Sequence, residues 1–152
     1  MAESVQKFFT GSFTHTIDRQ NRVTIPAIWR GSKSAGEQEF FIVPHPDKAL
    51  WVLPAAEMAR LHEKLAEKSM ADRDTWNFVR VFSGRMQQCI LDVQGKLTIG
   101  DWLLKYAELV SGKEVVLVGL VKHFEIWKPD LWAQLDHSAE ANYGDIAARV
   151  GL

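Results

Sequence analysis

Two short segments of the chain carry residue types and a spacing that suit binding to an anion. In each, an acid is followed four residues later by a base: Asp18 and Arg22 in the first segment, Asp92 and Lys96 in the second. A cation at the end of a stiff hairpin can enter a DNA major groove, where an arginine matches guanine O6 and N7, or it can clamp a phosphate. Alternatively, Asp18 and Arg22 form a local salt bridge that only fixes the turn. The spacing alone allows both interpretations.

The two segments belong to a longer internal repeat. Asp-Arg-Gln-Asn-Arg-Val-Thr-Ile at residues 18–25 matches Asp-Val-Gln-Gly-Lys-Leu-Thr-Ile at residues 92–99, which begins 74 positions later. At the same offset, the apolar run at residues 41–43 aligns with the run at residues 115–117. A period of half the chain indicates two copies of one structural unit. Each copy is predicted to contain a strand, a turn, a strand, a short helix, a hairpin and a helix, in this order.

Each copy is predicted to begin with a hairpin that has a polar end. We name residues 18–22 tip 1 and residues 92–96 tip 2. An alternation of apolar and polar residues precedes tip 1 and β-branched residues follow it, so residues 9–26 are predicted to form a hairpin. Asn21 near the end of tip 1 corresponds to Gly95 in tip 2, and these two residue types tolerate positive φ best. Their exchange favours a shared turn geometry.

A second hairpin and an amphipathic helix are predicted in the rest of the first copy. Residues 31–39 read as a polar loop, and residues 40–53 read as the hairpin. Pro54 suits the first position of a helix, whose apolar stripe continues to about Ser69. The second copy is predicted to have a helix at about residues 102–106, strands at residues 114–121 and 124–128, and a helix from Asp130.

One further helix is predicted between the copies. Asp72 or Asp74 can cap this helix, Gly84 ends it, and the second copy is expected to have no counterpart of it. The chain is therefore divided into repeat 1 at residues 9–71, a connector helix at residues 72–85, repeat 2 at residues 86–135 and a C-terminal tail at residues 136–152.

Composition and motifs argue against several classes of protein. The chain has 152 residues, of which 47 % are apolar, enough for a substantial core. No run approaches the roughly 18 to 20 apolar residues of a membrane helix, so a cytoplasmic protein without a membrane partner is expected.

The single cysteine, Cys89, cannot form an internal disulfide and is predicted to be a small core residue. His45 lies two residues before Asp47 in the segment Pro-His-Pro-Asp, and His45 is interpreted as a solvated turn residue.

Known catalytic and ligand-binding motifs are absent from the sequence. It contains no glycine-rich phosphate loop, no Cys-x-x-Cys, no His-Glu-x-x-His and no Gly-x-Ser-x-Gly. No enzyme, cofactor, metal site or small-molecule substrate is therefore predicted.

The distribution of charge is more informative than its sum. A net charge of −1 argues against an indiscriminate nucleic-acid binder, whose whole surface would be basic. Residues 1–34 contain five bases and two acids, whereas residues 124–152 contain two bases and five acids. A chain polarised in this way can present one basic edge to a polyanion. The alternative is that both charged faces are simply solvated.

The residues of tip 1 resemble a known DNA-binding signature. Asp-Arg-Gln-Asn-Arg-Val-Thr-Ile-Pro at residues 18–26 is similar to the Asp-x-x-Gly-Arg-aliphatic-x-aliphatic-Pro pattern of the AbrB-like swapped-hairpin fold. Together with Cys-Ile-Leu-Asp at residues 89–92 and the strands at residues 113–119 and 124–127, it resembles the MraZ family in particular, over about residues 9–135. This resemblance implies a mainly β fold with peripheral helices: a double-split β-barrel pseudo-dimer of two tandem repeats that associates into homo-oligomeric rings.

The resemblance also implies a function. MraZ proteins are sequence-specific transcriptional regulators that bind direct repeats in the promoter of the bacterial division and cell wall gene cluster, usually upstream of their own gene. We therefore expect double-stranded DNA and further copies of the chain as partners, in the cytoplasm and at the nucleoid. Carried over residue by residue, Arg22 makes the principal DNA contact and Asp18 orients it. The DNA-binding set implied in this way is Asp18, Arg19, Gln20, Asn21, Arg22, Gln94 and Lys96.

The second copy departs from the signature, which leaves a second interpretation open. Lys96 replaces the arginine and Gly100 replaces the proline, and a lysine is a point charge without the planar fork that reads guanine. Lys96 and the nearly neutral net charge favour an oligomeric assembly or interaction module of the same fold, antitoxin-like or scaffolding, without specific DNA binding. An enzyme is a third interpretation, for which no set of catalytic residues can be named.

Overall fold

Each copy of the repeat has four strands in the computed structural model, which describes residues 8–30, 38–68 and 71–152. The first copy consists of β1 (Ser12–Thr16), β2 (Arg22–Thr24), a 3-10 turn (Ala27–Trp29), β3 (Glu39–His45), β4 (Ala49–Pro54) and α1 (Ala55–Ala66), and α2 (Arg73–Gly84) follows it. The second copy consists of β5 (Gln87–Ile90), β6 (Lys96–Thr98), α3 (Asp101–Tyr106), β7 (Glu114–Gly119), β8 (Phe124–Trp127), α4 (Pro129–Ala141) and α5 (Tyr143–Arg149). The predicted order of elements is confirmed in both copies.

The strands on either side of each tip pair with the other copy. β1 is antiparallel to β7 and β5 to β3, so the larger sheet has six strands in the order β1-β7-β8-β4-β3-β5. β2 and β6 form a separate two-stranded antiparallel sheet. The prediction that residues 9–26 form a hairpin is wrong, because the turn after Asp18 forms but the strands that it joins have different partners. An alternating pattern identifies a strand without identifying the strand that pairs with it.

The two copies align with one change of offset. β4 and β8 keep the offset of 74 residues, but the pairing of β3 with β4 and of β7 with β8 makes Ile42 equivalent to Leu117, 75 residues later. The predicted alignment of residues 41–43 with residues 115–117 is therefore wrong by one residue. Three residues separate the last pair of β3 and β4, whereas four separate that of β7 and β8. A shift of one residue exchanges the two faces of a strand, and Ile42 and Leu117 both belong to the central core.

The central core lies between the two sheets. Val23 and Leu97 contribute to it from the two-stranded sheet, and Leu117 is among the residues that contribute from the six-stranded sheet. Trp29, from the 3-10 turn, is 1 % exposed, and its Nε1 donates a hydrogen bond to the Thr10 carbonyl oxygen at 2.8 Å. Because both copies supply this core, neither can bury its apolar face without the other. The predicted fold class, a mainly β pseudo-dimer of two repeats with peripheral helices, is confirmed.

The long helices α1, α2 and α4 pack on the opposite face of the six-stranded sheet, whereas α3 contributes Leu103 and Leu104 to the central core. α1 and α2 cover a cluster that contains Val43 and Leu53. α4 covers a cluster that contains Val116 and Trp127. Successive residues of a strand point to opposite faces, so these side chains face away from the central core. The long helices are therefore separated from the two-stranded sheet by the six-stranded sheet.

The ends of the helices differ from the sequence-based expectations. α1 ends at Ala66, whereas the predicted end at Ser69 and residues 31–37 of the predicted polar loop lie outside the described residues. α4 and α5 make the tail at residues 136–152 largely helical. α5 follows α4 as α2 follows α1, so the second copy also has a second helix, contrary to the prediction. No helix within the described ranges is long and apolar enough to span a membrane.

Two side chains outside the tips bear on predictions from the sequence. Cys89 packs against the central core, and burial raises the pKa of its thiol to about 12, in agreement with a packing role. The interpretation of His45 as a solvated turn residue is wrong, because its side chain is only 15 % exposed. Its ring packs edge-on against Trp51, and its Nε2 lies 3.3 Å from the buried carboxylate of Glu125. The backbone N–H of Asp47 donates to His45 Nδ1 at 2.9 Å, so this pair is part of a packed turn.

Candidate nucleic-acid interface

The exchange of strands brings tip 1 and tip 2 together. Antiparallel pairing of β2 with β6 places Arg22 opposite Thr98 and Lys96 opposite Thr24. Each tip also accepts a backbone hydrogen bond from the strand of the other copy: Ile25 N donates to the Gly95 carbonyl and Ile99 N to the Asn21 carbonyl, both at 2.9 Å. Two segments that are 74 residues apart in the sequence therefore form one continuous surface.

Each tip is a tight turn built on its acidic residue. Asp18 Oδ1 accepts hydrogen bonds from the backbone N–H groups of Gln20 and Arg22 at 2.8 and 2.9 Å, and Asp18 N donates to the Arg22 carbonyl at 3.0 Å. Asn21 takes a φ of 61° to close the turn. A carboxylate that bonds its own backbone in this way is a standard former of such turns.

Tip 2 repeats this geometry. Asp92 Oδ1 accepts from the backbone N–H groups of Gln94 and Lys96, both at 2.9 Å, and Asp92 N donates to the Lys96 carbonyl at 3.0 Å. Gly95 takes a φ of 76°, which corresponds to the φ of Asn21. The shared turn geometry that the Asn-to-Gly exchange predicts is confirmed.

Both tip carboxylates favour their charged form. The backbone N–H of Arg22 makes the largest contribution to lowering the pKa of Asp18 to about 2, with further lowering from the Gln20 N–H and the Arg22 guanidinium. Partial burial raises the pKa of Asp92, but hydrogen bonds from Lys96 N and Gln94 N outweigh it and leave that pKa below its ordinary value. At neutral pH the two acids are therefore fixed negative charges that hold cations.

An ion network joins the copies across the surface. Arg22 Nε lies 2.9 Å from Asp18 Oδ2, and Arg22 Nη1 lies 3.3 Å from Asp92 Oδ2. Lys96 Nζ lies 3.4 Å from the same Asp18 oxygen. The local salt bridge between Asp18 and Arg22 thus exists, and a second bridge to the other copy accompanies it. An arginine has five N–H donors, and the Arg22 guanidinium uses two of them in bonds to the described residues. The other three bond none of the described residues and can serve an acceptor from outside.

The structure brings all seven predicted site residues to this surface. Arg19, Gln20 and Gln94 are exposed at the ends of the tips, whereas Asn21 is half-buried. The side chains of Arg22 and Lys96 are about one quarter exposed, at 25 % and 26 %. Tip 1 therefore presents two arginines and tip 2 presents one lysine, because Val93 in tip 2, which is 89 % exposed, replaces Arg19.

Two residues of the site were not in the predicted set. Asp92 holds Arg22, and the repeat itself carried the signal for it, because Asp92 matches Asp18 in the alignment. Ser111 supports tip 1 by donating from Oγ to the Asp18 carbonyl at 2.9 Å. No sequence pattern indicated Ser111, since this contact spans 93 residues. The described parts of the chain contain no group of three or more His, Cys, Asp or Glu side chains that could hold a metal ion.

Comparisons with known proteins agree with the two-copy architecture. A family model described as "MraZ protein, putative antitoxin-like" matches the chain twice, at residues 8–81 and 82–151. Proteins named "Transcriptional regulator MraZ" from Carboxydothermus hydrogenoformans, Halothermothrix orenii and Alkaliphilus metalliredigens are 35 %, 34 % and 32 % identical to it over 142 residues. Each alignment covers 93 % of this chain and 96 % of the relative.

Proposed function

Because this chain belongs to the MraZ family, we propose that it regulates transcription by binding specific sequences in double-stranded DNA through tip 1 and tip 2. Its targets are direct repeats in its own promoter, within the bacterial division and cell wall gene cluster. It binds them as a homo-oligomeric ring in the cytoplasm, at the nucleoid. Repeat 1 at residues 9–71, the connector helix at residues 72–85, repeat 2 at residues 86–135 and the tail at residues 136–152 are part of this proposal.

The position of Arg22 is the observation that carries the proposal. Carboxylates from both copies hold its guanidinium on a surface that is accessible from outside. An arginine fixed in this way loses little conformational freedom on binding, and its free donors suit the two acceptors of guanine. The major groove, about 12 Å wide, admits a two-stranded β-ribbon, and β2 and β6 form such a ribbon beside the tips. Arg22 acts as the principal contact and Asp18 as the residue that orients it.

The other residues of the set have supporting roles. Gln20 and Gln94 are exposed at equivalent places on the two tips, where their amides can bond a base edge or a phosphate. Arg19 adds a cation at the end of tip 1, and Asn21 gives that tip its turn. Lys96 supplies a point charge that suits a phosphate better than a base.

Repeated DNA sites require several copies of the interface. One subunit makes few contacts, whereas linked subunits on linked sites gain affinity from their effective concentration. Apolar side chains are exposed on α2 and α5, among them Phe78, Val81, Tyr143 and Ile146. Exposed apolar side chains of this kind suit contacts between copies, which supports assembly.

The second candidate is an assembly or interaction module of the same fold that does not recognise specific DNA. The observation that favours it is the ion network itself, because two carboxylates already neutralise Arg22 and one of them also holds Lys96. In this case the tips only fix the joint between the copies. The two candidates differ in their response to DNA sequence.

Footprinting of the DNA upstream of the protein's own gene tests the proposal. The expected result is protection of direct repeats, together with tighter binding to tandem repeats than to one isolated repeat in fluorescence anisotropy. A scrambled sequence of equal length and the same salt concentration provide the control, because phosphate contacts alone depend strongly on salt. Equal affinity for cognate and scrambled DNA from a protein that sediments as an oligomer would support the module instead.

A further inference from the structure

We infer that Arg30 binds a DNA backbone phosphate beside tip 2. This inference rests on the proposed function, and it adds to the interface a residue that lies outside both tips. Arg30 directly follows the 3-10 turn of the first copy, eight residues beyond Arg22.

The side chain of Arg30 lies across the tip of the other copy. A Cβ atom placed on Gly95 would lie only 2.1 Å from Arg30 Nη1 and 2.8 Å from Arg30 Cζ. Gly95 is accordingly buried although its neighbour Gln94 is exposed. Any side chain at position 95 would displace the guanidinium, which gives a physical reason for glycine there in addition to its positive φ.

The guanidinium of Arg30 makes no ion pair with any acidic side chain in residues 8–30, 38–68 and 71–152. Its Nε is buried, and it has no hydrogen-bond partner among the described residues. Arg22 is different, because two carboxylates bind it. A buried donor without a hydrogen bond costs stability. The Arg30 guanidinium, which lies beside Gly95 and its chain neighbour Lys96, would therefore gain from binding an anion that arrives from outside.

The position of Arg30 favours a phosphate over a base. Val93 and Gln94 are exposed at the end of tip 2, whereas Arg30 covers the buried Gly95 and is itself half-buried. When a tip enters a groove, its protruding residues meet the base edges, and residues behind them meet the phosphates that flank the groove. A phosphate oxygen can accept hydrogen bonds from the guanidinium in a charge-assisted pair.

Arg30 also reduces the difference between the tips in the number of cationic side chains. At the offset of 74 residues its counterpart is Leu104, which is apolar and buried, so the repeat provides no such arginine for tip 1. Tip 1 has Arg19 and Arg22 of its own, and tip 2 has only Lys96. The first copy therefore supplies the guanidinium that the second copy lacks.

The test compares Arg30→Gln and Arg30→Lys with the wild-type protein on cognate and scrambled repeats over a range of salt concentrations. Arg60→Gln is the matched control, because it removes one positive charge from α1, which packs on the face of the six-stranded sheet away from the tips. We expect Arg30→Gln to lower the affinity for cognate and for scrambled DNA by the same factor. The slope of log K against log salt becomes shallower by about 0.9 for each engaged subunit. Arg30→Lys, which keeps the charge, retains the slope, and Arg60→Gln changes neither the affinity nor the slope.

An unchanged salt slope in folded Arg30→Gln overturns the inference. The inference is also overturned if the salt slope falls as much in Arg30→Lys as in Arg30→Gln and both variants have lower melting temperatures. In that case Arg30 only covers Gly95. The proposed function fails separately, if the wild-type protein does not prefer cognate DNA. In that case the slope on scrambled DNA still decides the role of Arg30, and a wild-type protein that binds no DNA refutes both.

Discussion

Replacement of Arg22 by alanine separates DNA recognition from the stability of the turn. The substitution removes ion pairs to Asp18 and Asp92 at 2.9 and 3.3 Å. It leaves the turn formers in place, because Asp18 Oδ1 is held by backbone N–H groups that alanine also has. Partly exposed ion pairs contribute about 0.2–1 kcal/mol each, so the loss of stability is about 0.5–2 kcal/mol. At about 2–4 °C per kcal/mol for a chain of this size, the melting temperature falls by about 1–8 °C.

The loss of specific DNA binding is expected to be larger. A bidentate arginine contact to guanine contributes about 1–3 kcal/mol, and each 1.4 kcal/mol changes an affinity about tenfold. Affinity for the cognate repeat is therefore expected to fall about 5- to 150-fold for each engaged subunit, and in the proposed ring each subunit that contacts DNA repeats this loss. On scrambled DNA only the contribution of charge is lost, so the ratio of specific to non-specific affinity falls sharply.

Two control variants make the Arg22 experiment decisive. Arg22→Lys keeps the charge but not the planar fork, so it retains binding to scrambled DNA and loses discrimination. Arg60→Ala breaks a comparable ion pair, 2.9 Å from Glu57 on α1, and changes only the melting temperature. Fluorescence anisotropy at fixed salt gives the affinities, and circular dichroism gives the melting temperatures. Affinity and discrimination close to the wild type in folded Arg22→Ala would refute the reasoning and leave the network as a structural joint.

Three further predictions concern the site and the core. Lys96→Ala is expected to lower the affinity for cognate and scrambled DNA by similar factors, because a lysine is suited to contact phosphates. A loss of discrimination as severe as in Arg22→Ala would contradict the unequal roles of the tips. The pKa of Asp18 is lowered from 3.8 to about 2, so its contribution to stability is present above about pH 4 and is lost as the pH falls towards about 2. Asp18→Asn should therefore make the melting temperature depend less on pH between about pH 4 and 2. An unchanged dependence on pH would argue against Asp18 as the group that titrates. The pKa of the Cys89 thiol is raised to about 12, so the native protein at about pH 8 should resist iodoacetamide and react only when unfolded; rapid labelling of the native protein, measured by mass spectrometry, would contradict its burial.

Features that depend on neighbouring residues could be predicted from the sequence. Asp18 forms its turn with residues two and four positions later, and Asn21 and Gly95 adopt the positive φ expected of their types. The strands and helices follow from apolar periodicity, and the two copies follow from the repeat at residues 18–25 and 92–99. Such features depend on backbone sterics and on hydrogen bonds over a few residues, which the local sequence specifies. The family could be recognised for the same reason, because its signature is a local one.

The partners of these elements were decided only by the tertiary structure. Periodicity predicted the strands beside tip 1 but paired them with each other, whereas both pair with the second copy. The bridge from Arg22 to Asp92, the cover of Arg30 over Gly95 and the burial of His45 follow from that exchange of strands and from the packing of the sheet. Each of these contacts joins segments that are far apart in the chain, and it forms because the two copies bury a single core that neither can complete alone. The sequence therefore determined which residues form the tips, and the shared core determined that the tips form one surface.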